Sequence, residues 1–336
     1  MTVGLRRVEL LYYRIDLHPG SAPVREREGV LLDWLAENGR RAVSEVCPLP
    51  GFSEEDLATC LDACRQLFAQ GSEAAANRLQ AALRDGGGGA DPLAGLPPAA
   101  RFGLEAGWLQ LTQPARAIPT VQTCRLLPAE APQRIPPLGP CLKVKVGRER
   151  IAADEQRLAY LQAALPEQTQ LRLDANRSWT PAQAARICAG LDPQRIAFIE
   201  EPLRQEASYA DWTSYSAIPF AWDESLRERP EANLATPGLS AVVLKPMLTG
   251  LVQTRRWIDA AHAAGRAVVL SAAFESNLTL DLYARLTVDW GLTALPGLDT
   301  FSAWPVALLT PLRSQPGHGD RPIYTRDDLT RLEPLL

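Results

Sequence analysis

The sequence predicts an α/β protein, a (β/α)7β barrel of the TIM type that carries an α+β capping domain. Two observations lead to this prediction. From about residue 118 onward, short apolar segments alternate with helical segments, whereas the first 115 residues begin with extended segments and continue with helices. Repeated strand–helix units imply parallel strands, and about eight of them close into a barrel. Strands followed by helices indicate a separate α+β unit.

The predicted capping unit has two clear extended segments, VELLYYRIDL (8–17) and the stretch near VSEV (43–46). Helices are predicted at 53–70, 73–84 and 97–110. The run Gly86–Gly89 resembles a phosphate-binding loop only superficially, because no Gly-Lys-Ser/Thr follows it and no apolar strand precedes it. It is interpreted as a flexible loop between helices.

The barrel prediction depends on segments that each carry a polar residue near their end. These polar residues are separated by 22 to 29 residues along the chain. The helices between them have ordinary start and stop signals, such as Thr180-Pro181 at the start of 180–191 and Gly265 after 250–264. The predicted strands are LKVKV (142–146), LRLDA (171–175), AFIEE (197–201), FAWDE (220–224), AVVLK (241–245), AVVLS (267–271) and the weaker PGLDT (296–300).

Composition limits the function classes. The chain has 336 residues, 46% of them hydrophobic, and its net charge of −4 offers no basic field for nucleic acid or an anionic membrane. No segment approaches the roughly 20 apolar residues that span a bilayer, and charged residues interrupt the start of the chain where a signal peptide would be apolar. We therefore expect a cytoplasmic protein whose partner is a small molecule. Nothing in the sequence decides whether it is an oligomer.

Cysteine and histidine do not form a recognisable site in the sequence. The six cysteines are scattered, and only Cys60 and Cys64 stand close together. A zinc site would need two such pairs or nearby histidines, so we interpret the cysteines as reduced thiols packed like small apolar side chains. The three histidines are far apart, which makes a histidine-based triad improbable.

Ionisable residues end five successive predicted strands, at the face where barrel enzymes place their active sites. Asp174, Glu200 and Asp223 would repel one another unless a cation neutralised them, and hard oxygen ligands select Mg²⁺ or Mn²⁺. Lys145 and Lys245 flank this trio. A lysine close to a metal ion and to another cation loses its proton more readily, which makes it a usable base.

Period-two alternation places Lys143 on the same side of its strand as Lys145, and Arg172 on the same side as Asp174. Glu201 and Glu224 stand beside the chosen carboxylates, so this reasoning leaves them open as alternative ligands. Asp299 is interpreted as a loop or cap residue instead of a fourth ligand.

Five segments resemble, in order, the strand-end motifs of the enolase superfamily, in the form typical of the o-succinylbenzoate synthases of menaquinone biosynthesis. PLPGFS (48–53), ES (275–276) and PGLDT (296–300) extend the likeness over most of the chain. The resemblance implies a capping domain of residues 1–115, completed by about 310–336, around a barrel of residues 116–309. The five segments are LKVKVG, LRLDANRSW, FIEEPL, AWDES and VVLKPMLTG.

The resemblance also implies roles for single residues. Mg²⁺, with Mn²⁺ as an alternative, would be held by Asp174, Glu200 and Asp223, while Lys145 would be the acid/base and Lys245 the opposing cation. Substrate contacts are expected from five further residues: Lys143, Arg172, Asn176, Ser271 and Gly297.

The implied reaction converts 2-succinyl-6-hydroxy-2,4-cyclohexadiene-1-carboxylate to o-succinylbenzoate. Lys145 would remove the proton α to the carboxylate, the metal and Lys245 would stabilise the enediolate, and water would leave. An N-acylamino acid racemase or dipeptide epimerase could use the same two lysines, one on each face of the carbanion. A non-catalytic barrel that binds a small anion is the alternative outside enzymes.

The capping domain is expected to close the barrel. Residues 19–29, with Arg25 and Arg27, and the loop Pro48–Phe52 are predicted to cover the active site and to bind the distal succinyl group of the substrate. The physical reason is that an uncovered barrel end is open to water.

Overall fold

The computed structural model describes residues 3–84, 91–127, 139–228, 233–315, 317 and 321–336, so Gly86–Gly89 lie outside the described residues. No helix within these ranges is both long enough and apolar enough to cross a membrane. The strands are β1 (Leu5–Asp16), β2 (Glu26–Ala36), β3 (Arg41–Val46), β4 (Arg125–Leu127), β5 (Cys141–Lys145), β6 (Gln170–Asp174), β7 (Ile196–Glu200), β8 (Phe220–Trp222), β9 (Leu239–Leu244), β10 (Ala267–Leu270), β11 (Ala307–Leu308), β12 (Ile323–Tyr324) and β13 (Thr330–Leu332). The α-helices are α1 (Leu57–Phe68), α2 (Ser72–Arg84), α3 (Pro98–Thr112), α4 (Ile151–Ala164), α5 (Pro181–Ala189), α6 (Trp212–Tyr215), α7 (Glu224–Glu228), α8 (Leu251–Ala263) and α9 (Asn277–Asp289).

The cap is an antiparallel sheet with the strand order β13-β1-β2-β3, packed against α1, α2 and α3. Helix α3 comes very close to the sheet, since a Cβ atom built at Gly107 would lie 2.2 Å from Nε1 of the buried Trp34. Glycine is therefore required there. Strand β13 pairs with β1, with Leu332 opposite Leu10, so the C-terminal residues complete the sheet of the cap. The domain limits near residues 115 and 310 remain predictions.

Strand β2 corrects the expectation of a lid for residues 26–29, which lie in the cap sheet, while the role of residues 19–25 stays a prediction. Its sequence, EREGVLLDWLA, pairs with β1 on one side and β3 on the other. Residues 29–34 are all buried, so the strand lacks the polar–apolar alternation that identifies a strand with one solvated face. That is why the sequence pattern did not predict it.

The barrel is built from seven parallel strands in the order β4-β5-β6-β7-β8-β9-β10. Each strand lies beside the next one in the sequence, as repeated βα units require. Their outward-facing side chains form an apolar core with the surrounding helices; Leu142, Val144, Leu171 and Leu173 are 0–1% exposed. The predicted (β/α)7β barrel is confirmed.

The predicted strand PGLDT is not a regular strand. Instead, Gly297 N donates to Leu270 O at 2.8 Å and Ala272 N donates to Gly297 O at 3.0 Å, while Cys124 N donates to Pro296 O at 2.9 Å. The segment therefore lies between β10 and β4 and fills the eighth position of the barrel. Pro296 lacks an N–H group, which limits the ladder that this segment can form.

A buried polar network joins the cap to the barrel. Glu45 of β3 accepts hydrogen bonds from Ser276 N at 3.2 Å, from Ser276 Oγ at 2.9 Å and from the hydroxyl groups of Tyr13 and Thr279. Nearby, Glu275 Oε1 accepts from Tyr283 Oη at 3.0 Å. One apolar cluster also runs from the cap strands to α9, so the two units share a core.

Glu275 gives this interface a pH dependence that can be measured. Burial raises the pKa of Glu275 from 4.5 to about 7, with nearby Glu45 adding to the effect and Arg27 opposing it. The native state then binds more protons than the unfolded state between these pH values, so this carboxyl makes the protein less stable as pH rises through that window. At about 1.4 kcal/mol per pKa unit, the total effect is on the order of 3 kcal/mol.

We expect Glu275→Gln to remove this dependence. The free energy of unfolding of the variant minus that of the parent should increase between pH 4 and pH 8, as followed by urea denaturation. Glu167→Gln, at an exposed position, is the matched control. A difference between Glu275→Gln and the parent that does not change with pH would contradict the prediction.

Candidate active site

The ionisable groups predicted at the strand ends share one end of the barrel, which we call the mouth. Lys145, Asp174 and Glu200 end β5, β6 and β7. The strand register pairs Lys145 with Asp174 and Asp174 with Glu200, so the three residues stand side by side. Because the strands are parallel, their carboxyl ends all face this mouth.

Two lysines of β5 form ion pairs with the neighbouring carboxylates. Lys143 Nζ lies 2.7 Å from Asp174 Oδ2 and 2.6 Å from Glu200 Oε2. Lys145 Nζ lies 2.6 Å from Asp174 Oδ2 and donates to Asn176 Oδ1 at 2.7 Å. Strand alternation puts both ammonium groups inside the barrel, while Leu142 and Val144 pack outward. Asn176 therefore orients Lys145.

Charge and burial together shift the titration of this cluster. Burial by itself would lower the pKa of Lys143, but Asp174 and Glu200 outweigh it and hold that pKa well above its usual value. Burial would raise the pKa of Asp174, but Lys143 and Lys145 hold it well below the usual range. Burial and the neighbouring Asp174 raise the pKa of Glu200 to about 7. Asp174 and Glu200 therefore differ in the pH at which they lose their protons, although both are carboxylates at adjacent strand ends.

Lys245 and Asp223 form the other side of the mouth. Lys245 directly follows β9 and is ion-paired with Asp223, which directly follows β8. Burial would lower the pKa of Lys245, but Asp223 and the nearby Glu224 raise it above the usual value. Since β9 is four strands from β5 in a barrel of eight positions, Lys245 faces Lys145 across the mouth.

Hydrogen bonds distinguish Glu200 from Glu201. Glu201 Oε1 accepts the backbone N–H groups of Asp223 and Ser225, both at 2.8 Å, and its Oε2 accepts Ser225 Oγ at 2.9 Å. Arg177 also contacts this carboxylate. Glu201 is therefore occupied in fixing the segment that carries Asp223. Glu200 Oε1, by contrast, is buried and has no hydrogen-bond partner among the described residues.

Glu224, the other alternative ligand, and Asp299, the predicted loop residue, lie in different surroundings. Glu224 begins α7, and its Oε2 is buried without a hydrogen-bond partner in the described part of the chain. Burial and the adjacent Asp223 raise the pKa of Glu224 to about 7. Asp299 Oδ2 accepts from Leu126 N at 3.0 Å, which agrees with its interpretation as a loop residue.

Lys143 and Asn176, two of the five expected substrate contacts, are already bonded within the ion-pair cluster. The other three lie in two places. Ser271 and Gly297 are bridge partners, and a Cβ atom at position 297 would lie 2.7 Å from Ser271 Oγ, so both line one edge of the mouth. Arg172 lies one inward-facing position before Asp174. Its Nη1 donates to Leu295 O at 2.7 Å, its guanidinium lies over the ring of Phe198, and its buried Nε has no partner among the described residues.

Arg27 is not available to bind substrate, which corrects the sequence prediction. It is completely buried, and its guanidinium donates to Pro48 O at 2.7 Å, Cys47 O at 2.6 Å and Phe274 O at 3.1 Å. Arg25 is exposed and precedes β2. The sequence shows that Arg27 is charged. It does not show that the backbone carbonyls of residues 47, 48 and 274 already accept its hydrogen bonds.

The mouth contains the donor atoms that a hard divalent cation requires. Asp174, Glu200 and Asp223 are buried carboxylates at the ends of neighbouring strands, and Glu200 Oε1 has no partner in the described structure. Carboxylate oxygens are the ligands that Mg²⁺ prefers. No three acidic, histidine or cysteine side chains in the described ranges form a ready-made metal cluster. The carboxylates are paired with lysines instead.

The number of lysines is a signal that sequence reasoning missed. The chain contains 32 arginines but only three lysines, Lys143, Lys145 and Lys245. All three lie at the mouth. Arginine stays protonated in proteins and cannot act as a base, whereas lysine can lose its proton. The chain therefore has lysine instead of arginine only at the mouth, where a basic group that can lose its proton is needed.

A parallel barrel with an α+β cap, and with facing lysines around strand-end carboxylates, defines an enzyme of the enolase superfamily. The enolase C-terminal domain-like family matches residues 139–313. The chain is also 36% identical over 303 residues to o-succinylbenzoate synthase of Klebsiella pneumoniae (strain 342), which covers 86% of this chain and 87% of the relative. The chain belongs to the o-succinylbenzoate synthase family, whose members are hydro-lyases of this superfamily.

Solved structures show the same fold. The o-succinylbenzoate synthase of Thermosynechococcus elongatus BP-1, complexed with Mg in the active site, has a TM-score of 0.67 at 23% identity and covers 93% of this chain and 97% of its own. Dipeptide epimerase of Enterococcus faecalis V583 has a TM-score of 0.73 at 19% identity, over 94% of this chain and 96% of its own. At these identities the likeness supports the fold alone.

Proposed function

We propose that this enzyme converts 2-succinyl-6-hydroxy-2,4-cyclohexadiene-1-carboxylate to o-succinylbenzoate and water, as a step of menaquinone biosynthesis in the cytoplasm. The observation that carries the proposal is the confinement of all three lysines to a mouth lined by strand-end carboxylates. Family membership supports the choice of substrate. The six cysteines, all unpaired and buried, agree with a reducing compartment.

We infer that Asp174, Glu200 and Asp223 hold Mg²⁺, with Mn²⁺ as a substitute. The bound ion would supply a Lewis acid that draws negative charge onto the carboxylate of the substrate. The fixed hydrogen bonds of Glu201 and the unpartnered Oε1 of Glu200 favour Glu200 as the ligand of that pair. Asp223 is ion-paired inside the mouth, which favours it over Glu224.

The proton transfers are assigned to Lys145. Its Nζ accepts the proton from the carbon α to the carboxylate, and the same group then donates a proton to the departing hydroxyl, which leaves as water. Asn176 keeps the Nζ atom in place through its Oδ1. The electron pair of the broken C–H bond completes the aromatic ring when the C–O bond breaks.

Lys245 stabilises the negative charge that develops on the carboxylate oxygens of the substrate. Its ammonium group faces Lys145 across the mouth and is already in position before the reaction starts. Little free energy is therefore spent on reorganising the site when the negative charge develops. Lys143 holds Asp174 and Glu200 together. Arg172, Ser271 and Gly297 are proposed to contact the remainder of the substrate, with the positive charge of Arg172 suited to its second carboxylate.

A direct assay tests the proposal. The purified enzyme with Mg²⁺ should form o-succinylbenzoate from the cyclohexadiene carboxylate, which ultraviolet absorbance and mass spectrometry detect. Facing lysines on opposite strands also suit racemisation, so N-succinyl amino acids and dipeptides should be assayed in parallel. Turnover of those compounds without formation of o-succinylbenzoate would replace the proposal by the N-acylamino acid racemase or dipeptide epimerase alternative.

A further inference from the structure

Arg27 is a buried cation that donates hydrogen bonds to three backbone carbonyls. The guanidinium is 0% exposed, and each of its three nitrogen atoms donates to a different carbonyl, those of Cys47, Pro48 and Phe274. Burying a charge is costly unless it is well hydrogen-bonded. The hydrogen bonds of Arg27 offset this cost only while the segments that carry the three carbonyls stay together.

These carbonyls belong to two separate parts of the chain. Cys47 and Pro48 lead from β3 of the cap into the segment 48–53, which we call the cap loop. Phe274 belongs to the segment 271–276 between β10 and α9, which we call the barrel loop. The barrel loop starts at Ser271, directly after β10, so it lies at the mouth. Arg27 therefore ties the cap to the rim of the active site.

The cap loop lies against the rim of the mouth. Leu49 forms a small apolar cluster with Leu248 and Ala273, and Phe52 packs against it. Leu248 is three residues beyond Lys245, and Ala273 is two residues beyond Ser271. At the far end of the loop, Arg227 Nη1 donates to Phe52 O at 3.0 Å. The loop is thus anchored at both ends, with the exposed Gly51 between the anchors.

The barrel loop is held in an unfavourable conformation beside Arg27. Phe274 has φ = +61°, a left-handed backbone angle that residues other than glycine rarely adopt. Such a conformation persists only where the surroundings enforce it, and it tends to occur at ligand-binding positions. The carbonyl of this same residue accepts the hydrogen bond from Arg27 Nε.

We propose that Arg27 is a positioning residue that clamps the cap loop onto the barrel loop and thereby sets the shape of the substrate pocket without touching the substrate. A guanidinium is needed because its nitrogen atoms point in different directions within one rigid plane. The ammonium of lysine has a single nitrogen and cannot reach carbonyls of both loops in the same way. The proposal rests on the proposed function only in placing a substrate beneath the cap loop.

Arg27→Lys tests the clamp, with Arg331→Lys as the matched control at an exposed position of β13 in the cap. Hydrogen–deuterium exchange at 47–53 and 271–276 should become about tenfold faster in Arg27→Lys, since charged hydrogen bonds are lost from both loops. KM for the cyclohexadiene carboxylate should rise about tenfold while kcat changes little, because the pocket loosens but Lys145 stays in place. Arg331→Lys should behave like the parent.

Two results would overturn the proposal. One is a folded Arg27→Lys variant whose exchange in both loops and whose KM equal those of the parent. The other is a variant with a lower melting temperature but an unchanged KM, which would show a purely structural role. If no protein in the series turns over the cyclohexadiene carboxylate, the proposed function fails, while the exchange result still decides the clamp.

A measurement on the parent enzyme covers the case in which Arg27→Lys does not fold. At low urea concentration, amides of the cap loop and of the barrel loop should show the same free energy of opening, because one clamp holds both. Clearly different opening free energies would overturn the proposal without any variant.

Discussion

Replacing Lys145 with alanine is expected to lower kcat/KM by about 10⁴-fold, the upper range for loss of a general acid–base group. The same variant should fail to exchange the α-proton of the substrate with D₂O, as followed by mass spectrometry. The fold should survive, because Asp174 keeps its contact with Lys143 at 2.7 Å. Arg148→Ala, an exposed change three residues further along, should leave both rates unchanged.

Replacing Lys245 should affect a different step. Lys245→Arg keeps a positive charge beside Asp223 but in a larger planar group, so we expect a loss of about 10²- to 10³-fold with trace turnover remaining. The comparison of the two lysines decides their roles. Turnover in Lys145→Ala, or α-proton exchange that survives there but disappears in Lys245→Ala, would reverse the assignment.

The second large effect concerns the metal ion. Excess EDTA should abolish product formation and Mg²⁺ should restore it, because the carboxylates alone cannot supply a Lewis acid. Glu200→Gln should lower activity by about 10³-fold even in Mg²⁺, since the variant lacks a charged ligand. Full activity in excess EDTA would disprove the metal requirement.

Thermal unfolding provides a readout of metal binding that does not depend on activity. An ion at 100 times its Kd stabilises the native state by about 2.7 kcal/mol, so Mg²⁺ should raise the melting temperature of the parent. Glu200→Gln should lose this increase. Glu201→Gln is the matched comparison, because its amide oxygen can still accept from the backbone of Asp223 and Ser225. An increase lost in Glu201→Gln but kept in Glu200→Gln would show that the neighbouring glutamate is the ligand.

The spacing of strand ends predicted much of what lies at the mouth. Lys145, Asp174 and Glu200 are adjacent in the sheet register, as alternating strand–helix units require. Ser271 and Gly297 also meet, although 26 residues separate them. Such predictions succeed because parallel strands in sequential order fix which residues become neighbours, whatever the connecting loops do. The metal ligands themselves remain a proposal.

Other features of the fold and the site could not be predicted, because they depend on contacts with residues that are distant in the sequence. Strand β2 was missed because both of its faces are covered, which removes the alternation that marks a strand. The segment around Gly297 fills a strand position with few ladder bonds, because it contains a proline and closes the barrel between β10 and β4. Arg27 was predicted to bind the substrate because the sequence shows its charge. The sequence does not show the backbone carbonyls that accept its hydrogen bonds.

Residue patterns were enough to predict the barrel, the cap and the end of the barrel at which the lysines and carboxylates gather, since side-chain periodicity and strand order are local properties of the chain. Residue patterns could not distinguish two chemically identical neighbours, for which the three-dimensional contacts were needed. Glu201 and Glu200 differ because one accepts hydrogen bonds from Asp223 and Ser225, whereas the other has an oxygen without a partner among the described residues. Those differences arise from contacts between residues far apart in the chain, which hydrophobic patterning does not encode.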